Sequence, residues 1–299
     1  MIMTSLPVAA KPAEPSPRRL IWIKAKRHPA LLLGVLLFSI ALLMAVFAPW
    51  ISNGDPYTQD LMARTVPPVW LDGGSWAHVF GTDAFGRDYW ARLAYGARVS
   101  LFIGVLTALV SGMIGTTMGL LAGYFGGRVD FVIQFLITTR LSMPVVLIAL
   151  ASAVLIGDSL TAVVLILGFL FWDRFAVVVR SATRQIAALD YVTAARAVGC
   201  STPHILFKEI LPNLSNQLIV IATLEMAHAI LSEAVLSFLG MGVPPPTPSW
   251  GLMVAEGRES ILFDGWMIMI PGVALFLLVL AINLIGDGLR DVTTPGGRN

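Results

Sequence analysis

Three ionisable side chains within one apolar stretch have residue types and a spacing that could support chemistry. Glu225, His228 and Glu233 lie within residues 215–239, which are otherwise mostly apolar. In a helix, Glu225 and His228 share one face because they are three residues apart. Glu-x-x-His pairs bind di-iron centres only with a second copy and further carboxylates, and the sequence has no second copy. We expect no metal site, and two roles are open: hydrogen bonding between packed helices, or lining a water-filled solute path.

Two neighbouring apolar stretches also carry charged residues. Arg140 lies in the first of them, and Asp173 and Arg174 lie in the second. Long side chains near helix ends extend toward the membrane surface. We therefore expect these residues either to reach the interface or to pair internally.

The composition identifies the environment in which these residues must be positioned. The 299 residues are 57% hydrophobic and 13% charged, with a mean hydropathy of +0.80 and a net charge of +2. These values are typical of a chain that crosses a bilayer, where each helix needs roughly 20 apolar residues. The basic residues are scattered, which argues against nucleic acid as a partner. Cys200 is the only cysteine, so an intramolecular disulfide is excluded.

The apolar runs predict an all-α membrane protein with about six transmembrane helices. The predicted spans are about 30–50, 99–123, 133–156, 160–180, 215–239 and 266–286. Six basic residues precede the first span, so we expect both termini to be cytoplasmic. The resulting division is a tail (1–28), a first span (29–51), an extracytoplasmic segment with an interfacial helix (52–98), a five-helix core (99–290) with a long cytoplasmic loop (186–213), and a C-terminal tail (291–299).

The longest cytoplasmic connection contains a segment, Asp190–Asn213, that reads as two short helices meeting at a bend. We call it the elbow. Gly199 suits the left-handed residue after a helix end, and Ser201 and Pro203 suit the start of the next helix. Pro212 disfavours simple continuation of that second helix. The elbow is predicted to be a docking surface for another protein.

The elbow resembles the EAA loop of binding-protein-dependent ABC permeases. That pattern combines Glu-Ala-Ala, a glycine four residues later and a terminal Leu-Pro, and Thr193 stands here in place of the Glu. The resemblance implies a type I ABC importer fold and an elbow that couples the spans to an ATPase. The implied coupling residues are Thr193, Ala194, Ala195, Gly199, Ser201, Pro203, Leu211 and Pro212.

Further stretches are similar to the C-type subunit of the peptide and nickel branch of this family. They comprise residues 78–92, 96–101, 236–251 and 283–291. Read from the residues alone, positions 81–88 contain turn chemistry, and Tyr89, Trp90, Leu93 and Tyr95 suit a helix at headgroup level. We favour a membrane-surface cap here over a contact with a solute receptor.

The resemblance implies partner subunits, and the sequence lacks the motif for ATP hydrolysis by a phosphate-binding loop. No Gly-Lys dipeptide occurs, so the Gly-x-x-x-x-Gly-Lys phosphate loop is absent. We expect ATP and Mg²⁺ on two nucleotide-binding subunits, and no cofactor on this chain. The other expected partners are a second homologous permease, an extracytoplasmic solute-binding protein and the lipid of the bacterial inner membrane.

The expected function is one half of a translocation path for dipeptides or oligopeptides, working by alternating access. Nickel or glutathione import is the alternative. An intramembrane enzyme or a channel is disfavoured, because His-Glu-x-x-His, Gly-x-Ser-x-Gly and filter-like segments do not occur.

Small residues along the second span predict close helix packing. Glycines at 104, 112, 115, 119 and 123 recur mostly three or four residues apart. Such faces let helices approach closely in lipid. The partner helix is not identifiable from the sequence.

Overall fold

The computed structural model describes residues 17–52, 54–157 and 159–293. Residues 1–16 and 294–299 of the two expected tails lie outside this range. The helices are α1 (Pro17–Arg27), α2 (Pro29–Ile51), α3 (Tyr89–Phe125), α4 (Gly127–Leu141), α5 (Val145–Ile156), α6 (Leu160–Leu170), α7 (Trp172–Ala187), α8 (Asp190–Ala197), α9 (Thr202–Phe238), α10 (Trp250–Gly257) and α11 (Trp266–Thr293). The described residues form no β-strand, so the all-α prediction is confirmed.

The number of spans is five or six, depending on one bent helix pair. Five helical stretches are long and apolar enough to cross a bilayer: α2, α3, α6 with α7, α9 and α11. The sixth candidate is α4 with α5, whose axes differ by 89°. The apolar stretch predicted as one span over 133–156 is therefore divided between two helices that meet at a sharp bend. Pro144 explains the break, since its ring disfavours helical geometry at Met143 and it has no N–H to donate.

The second span begins ten residues earlier than predicted, at Tyr89, so the residues expected to form a separate interfacial helix are the first turns of α3. Asp88 caps α3 by accepting a hydrogen bond from the Ala91 N–H at 2.8 Å. Tyr89 is only 2% exposed, and its hydroxyl donates to the Met267 carbonyl. Its ring also packs edge-on against Trp266, with 5.3 Å between centroids. Packing against α11 therefore places Tyr89 inside the protein and not at the lipid headgroups.

Helix α3 is the central element, and four of its five predicted glycines face α7 of the same chain, whereas Gly104 faces Ile230 and Met226 of α9. A Cβ atom at Gly119 would lie 2.7 Å from the Cβ of Val179. A Cβ atom at Gly123 would lie 2.6 Å from the Cβ of Thr183. Only glycine permits this approach, so the small-residue face predicted from the sequence packs within the subunit.

The helix ends define two ends of the bundle. His28, before α2, lies 3.3 Å from Asp291 near the end of α11, and the elbow joins α7 to α9 at this same end, which we call the elbow end. The opposite end, the cap end, consists of residues 54–88 and 239–265. Trp250 anchors the cap end, since it is 1% exposed and its indole N–H donates to the Leu93 carbonyl at 2.8 Å.

Candidate functional site: the elbow and a mid-bundle charge cluster

The first half of the elbow ends at Gly199 as its residue type predicts. Gly199 has a φ of +88°. The Gly199 N–H donates to the Arg196 carbonyl, and the Cys200 N–H donates to the Ala195 carbonyl, both at 3.0 Å. This pair of bonds is the Schellman arrangement that ends a helix at a left-handed residue. The bend is therefore set by the backbone at Gly199.

The second half of the elbow runs into the fifth span, and around Pro212 it departs from regular α-helical geometry, as expected. The chain forms a π-helical turn at Ile205–Ile210 and a 3-10 turn at Leu211–Leu214, and then continues as the α-helix of the fifth span. Proline lacks an N–H and its ring crowds the carbonyl four residues earlier. The wider π turn accommodates the proline, and the Leu211 N–H donates to the Leu206 carbonyl five residues back.

The elbow is held to the bundle by one face. Val192, Ile205 and Ile210 are at most 1% exposed and pack in a cluster that includes Leu120 of α3 and Val179 of α7. This buried face packs the elbow against α3 and α7.

The opposite face of the elbow is open. Of the eight predicted coupling residues, Ala195 and Leu211 are half-buried, and the other six are exposed: Thr193, Ala194, Gly199, Ser201, Pro203 and Pro212. Ser201 precedes the second half as expected, but its side chain makes no capping hydrogen bond. Val198 and Phe207 are 84% and 62% exposed and add apolar area to this face. Six of the eight predicted residues are thus accessible to solvent, whereas Ala195 and Leu211 pack against the buried cluster.

A polar contact joins the two halves of the elbow. The Asn213 side-chain amide donates to the Tyr191 hydroxyl at 3.1 Å and to the Glu209 carbonyl at 2.7 Å. Sequence reasoning missed this contact, because it depends on how the two halves fold onto each other.

The mid-bundle charge cluster contains Glu225 and His228, with Arg174 between them. Nη1 of Arg174 lies 3.2 Å from Oε1 of Glu225 and 3.1 Å from Nε2 of His228. Nδ1 of His228 lies 2.8 Å from the Leu224 carbonyl, so this nitrogen carries the proton, and Nη1 of Arg174 lies almost equally far from Nδ1 and Nε2, at 3.2 and 3.1 Å. A guanidinium between the two candidate ligands opposes metal binding there.

Two further charged side chains lie close to this cluster. Asp173 is 2% exposed, and Arg140 donates from its guanidinium to the Leu170 carbonyl. Of the two outcomes considered for these residues, Arg174 pairs internally with Glu225 instead of reaching the interface. The two arginines and two carboxylates of this region carry compensating formal charge.

Glu233 is separate from the cluster and links α9 to α10. The hydroxyls of Ser237 and Ser249 donate to its Oε1 at 2.7 and 2.8 Å, and Glu233 is fully buried. Ser249 also caps α10 by accepting from the Leu252 N–H at 3.0 Å. The geometry of Glu233 favours a hydrogen-bonding role within the subunit.

A cleft of about 680 Å³ opens between α7, α9 and α11 toward the elbow end. Val178 and Leu224 line it, and they lie one turn from Arg174 and next to Glu225 respectively. Much of the remaining lining is polar: Asn213, Asn216, Gln217, Arg290 and Thr293. The cleft therefore connects the level of the charge cluster with the elbow.

The cap end contains a buried ion network that the sequence analysis did not find. Arg92, which is fully buried, and Arg87 each pair with Asp83 and with Glu256. Burial acts to raise the pKa of Asp83, but the charge of Arg92 and bonds from Arg87 outweigh it, so the pKa is lowered. The network ties residues 83–92 to the end of α10, which fits the expected structural cap.

Comparison with known proteins places these features in a family. Residues 115–298 match the model of the binding-protein-dependent transport system inner membrane component, and residues 16–68 match the N-terminal TM domain of oligopeptide transport permease C. The chain is 40% identical to the dipeptide transport system permease protein of Escherichia coli strain K12, covering 98% of both chains. It is 39% identical to the di/tripeptide transport system permease protein of Pseudomonas aeruginosa, covering 95% of this chain and 94% of that one.

A solved structure shows the same fold. An inward-facing structure of the MetNI methionine ABC transporter aligns with a TM-score of 0.55 at 21% identity, covering 67% of this chain and 95% of the other. The chain therefore has the transmembrane fold of a type I ABC importer permease, and it belongs to the family of binding-protein-dependent transport system inner membrane components.

Proposed function

We propose that this chain is one permease subunit of an ATP-driven peptide importer in the bacterial inner membrane, with the elbow on the cytoplasmic side. The observation that carries this proposal is the continuity of α9, which holds half of the elbow at one end and Glu225 with His228 near its middle. A displacement of the elbow therefore reaches the charge cluster through one helix. Two relatives are named as permeases for dipeptides and for di- and tripeptides, and these names support a peptide as the solute.

In the proposed assembly, other subunits bind ATP, complete the translocation path and deliver the solute. Two nucleotide-binding subunits bind ATP and Mg²⁺ and dock on the exposed face of the elbow, where Thr193, Val198 and Phe207 are accessible. A second, homologous permease forms the other half of the path. A solute-binding protein delivers peptide at the cap end. The chain itself performs no catalysis.

We place the translocation path along the face that carries Arg174 and His228. Arg174 lies at the middle of the Leu160–Ala187 span, and 42% of its side chain is exposed. A charged group at mid-bilayer is costly against lipid and faces water or a protein interior. This face therefore adjoins the second permease and a water-filled path that continues into the cleft toward the elbow end. Glu225 and His228 belong to the path through Arg174, whereas Glu233 is assigned to structure.

Reconstitution tests the function. The complete complex in proteoliposomes, with its solute-binding protein, should accumulate a labelled dipeptide only when ATP and Mg²⁺ are supplied on the elbow side. ATP-dependent accumulation of nickel or glutathione without dipeptide would replace the proposed solute. Passage of dipeptide through this chain alone would contradict the subunit role.

Cysteine labelling tests the path. In a Cys200→Ala background, His228→Cys should react with a membrane-impermeant thiol reagent in the assembled complex. Phe276→Cys, at a 64% exposed position in the middle of α11, is the control, which we expect to face lipid and to remain unreactive. Equal reactivity at the two positions would contradict the assignment of the path.

A further inference from the structure

Helix α1 is a basic helix directly before the first membrane span. Five of its residues are Lys or Arg, and its sequence, PRRLIWIKAKR, contains no acidic residue. Three basic residues, Lys24, Lys26 and Arg27, lie in its last turn. This density of positive charge beside a span is typical of segments that bind anionic lipid.

The backbone fixes α1 at the level where the span enters the membrane. His28 has an extended conformation, with φ −95° and ψ 99°, so α1 does not continue into α2. Nδ1 of His28 accepts from the Leu31 N–H at 3.2 Å, and Nε2 faces Asp291 at 3.3 Å. Helix α1 also contacts α11. It is therefore held at the elbow end, beside the first residues of the span.

The side chains of α1 combine exposed apolar and basic groups. Trp22 and Ile23 are 63% and 43% exposed, and Nζ of Lys26 lies 4.2 Å from the centroid of the Trp22 ring. Lys24, Lys26 and Arg27 are also accessible to solvent. A tryptophan beside basic residues suits the membrane interface, where the ring enters the headgroup layer and the charges meet phosphate.

We propose that α1 lies in the membrane interface and binds the phosphate groups of anionic phospholipids. Three features favour this ligand: the positive charge of α1, its exposed Trp22 and Ile23, and its connection to the start of α2. Docking on an acidic protein surface would use the charges, but the tether at Pro29 already places α1 among headgroups. This binding site is independent of the transported solute and anchors the first span.

Spin labelling of the full-length chain in nanodiscs tests this proposal. The label is attached at Ile23→Cys in the Cys200→Ala background, so that Trp22 is kept, and a second label at Val198→Cys reports the exposed elbow at the same end. In phosphatidylglycerol, the label at residue 23 should collide with oxygen more than with a water-soluble nickel chelate. The label at residue 198 should show the reverse. In phosphatidylcholine, the label at residue 23 should shift toward the chelate.

Neutralising basic residues of α1 tests the role of their charge, and neutralising basic residues elsewhere is the matched control. Lys24→Gln with Lys26→Gln should reduce the ratio of lipid-bound to water-exposed α1 by about 30-fold, since one basic residue near an anionic surface contributes about fivefold. Arg128→Gln with Lys208→Gln, two exposed basic residues outside α1, should leave the ratio unchanged. Chelate access in phosphatidylglycerol, equal depth in both lipids, or shielding from both reagents would each overturn the proposal. The last result would indicate a protein partner.

Discussion

The side-chain amide of Asn213 donates a hydrogen bond to the hydroxyl of Tyr191 at 3.1 Å and so joins the two halves of the elbow. Tyr191 lies in α8, and Asn213 lies in the 3-10 turn that follows the π turn. The bond crosses the bend at Gly199. It therefore resists independent movement of α8 and α9.

Tyr191→Phe removes this hydrogen bond and keeps the ring. We expect a small loss of stability, about 1 kcal/mol or less, because Tyr191 is partly exposed and water replaces the lost partner. Peptide uptake per ATP hydrolysed should fall, measured in proteoliposomes. Tyr95→Phe, at a half-buried tyrosine in α3, is the control and should retain the wild-type ratio. An unchanged ratio in Tyr191→Phe would show that the two halves need no such link.

Gly199→Val should strain the bend without creating a steric clash. The residue has φ +88° and a Cβ there would meet nothing within 4 Å, so the cost, about 1–2 kcal/mol, comes from the backbone conformation. We expect ATP hydrolysis to continue while uptake declines. The matched control is Gly240→Val, with φ +82° and equally open surroundings, but at the cap end of α9. Comparable uptake losses in the two variants would attribute the effect to general strain and not to coupling.

Gly119→Ala should disturb the contact between α3 and α7. The added methyl would lie 2.7 Å from the Cβ of Val179 and 2.8 Å from the carbonyl oxygen of Ala176, and this backbone atom cannot rotate away. Overpacking of this kind costs about 1–3 kcal/mol. Thermal unfolding in detergent should reveal the loss.

Gly272→Ala is the control for Gly119→Ala. This glycine lies inside α11, and a Cβ atom added to it would have no neighbour within 4 Å. Alanine there should be neutral, or stabilising by up to about 1 kcal/mol, because it has the higher helix propensity. Equal destabilisation by the two substitutions would mean that the α3–α7 contact tolerates a methyl group.

Asp83→Asn should destabilise the cap end in a pH-dependent way. Removal of one partner from a buried ion network costs about 3–5 kcal/mol, and Asp83 is 2% exposed. Its pKa is lowered in the folded state, so its stabilisation is fully present above the unfolded pKa of about 4 and is lost as the pH falls through the folded pKa. Unfolding measured from pH 8 downward should show a constant difference from wild type to about pH 5, and a shrinking difference below about pH 4.

The control for this titration is Asp72→Asn, at an exposed loop position. It should match wild type over the whole range, since a solvated carboxylate contributes little to stability. A wild-type stability profile that already declines between about pH 7 and 5 in parallel with a shrinking difference would contradict the lowered pKa.

Sequence reasoning succeeded where local residue type determines the structure. The apolar runs located the spans, and Gly199 was identified as a left-handed position because glycine adopts positive φ without steric cost. It indicated an interruption at Pro212, but not that a π turn lets the chain continue through the proline into the fifth span. The choice between stopping and continuing a helix there depends on the buried contacts of Ile205 and Ile210 with α3 and α7, which no local pattern contains.

The partners within the two ion networks also could not be predicted from local sequence. Arg174 and Glu225 are 51 residues apart, and Arg87 and Glu256 are 169 residues apart. The type of each residue marks it as costly to bury, but its partner is set by helix packing. Complementary charges at the middle of two spans are a signal that could have suggested the first pair. Residues 83–92 carried no comparable signal, since short loops with Asp and Arg are commonly solvated.

The passage of the elbow into the fifth span has a mechanical consequence. With a rise of about 1.5 Å per residue, Glu225 lies about 20 Å along α9 from Pro212. A pivot of about 10° at the π turn would carry Glu225 sideways by about 3 to 4 Å, by the same helix geometry. That distance is comparable to the 3.2 Å separation between Glu225 and Arg174. A small rotation at the elbow would therefore suffice to make or break this ion pair about 20 Å away.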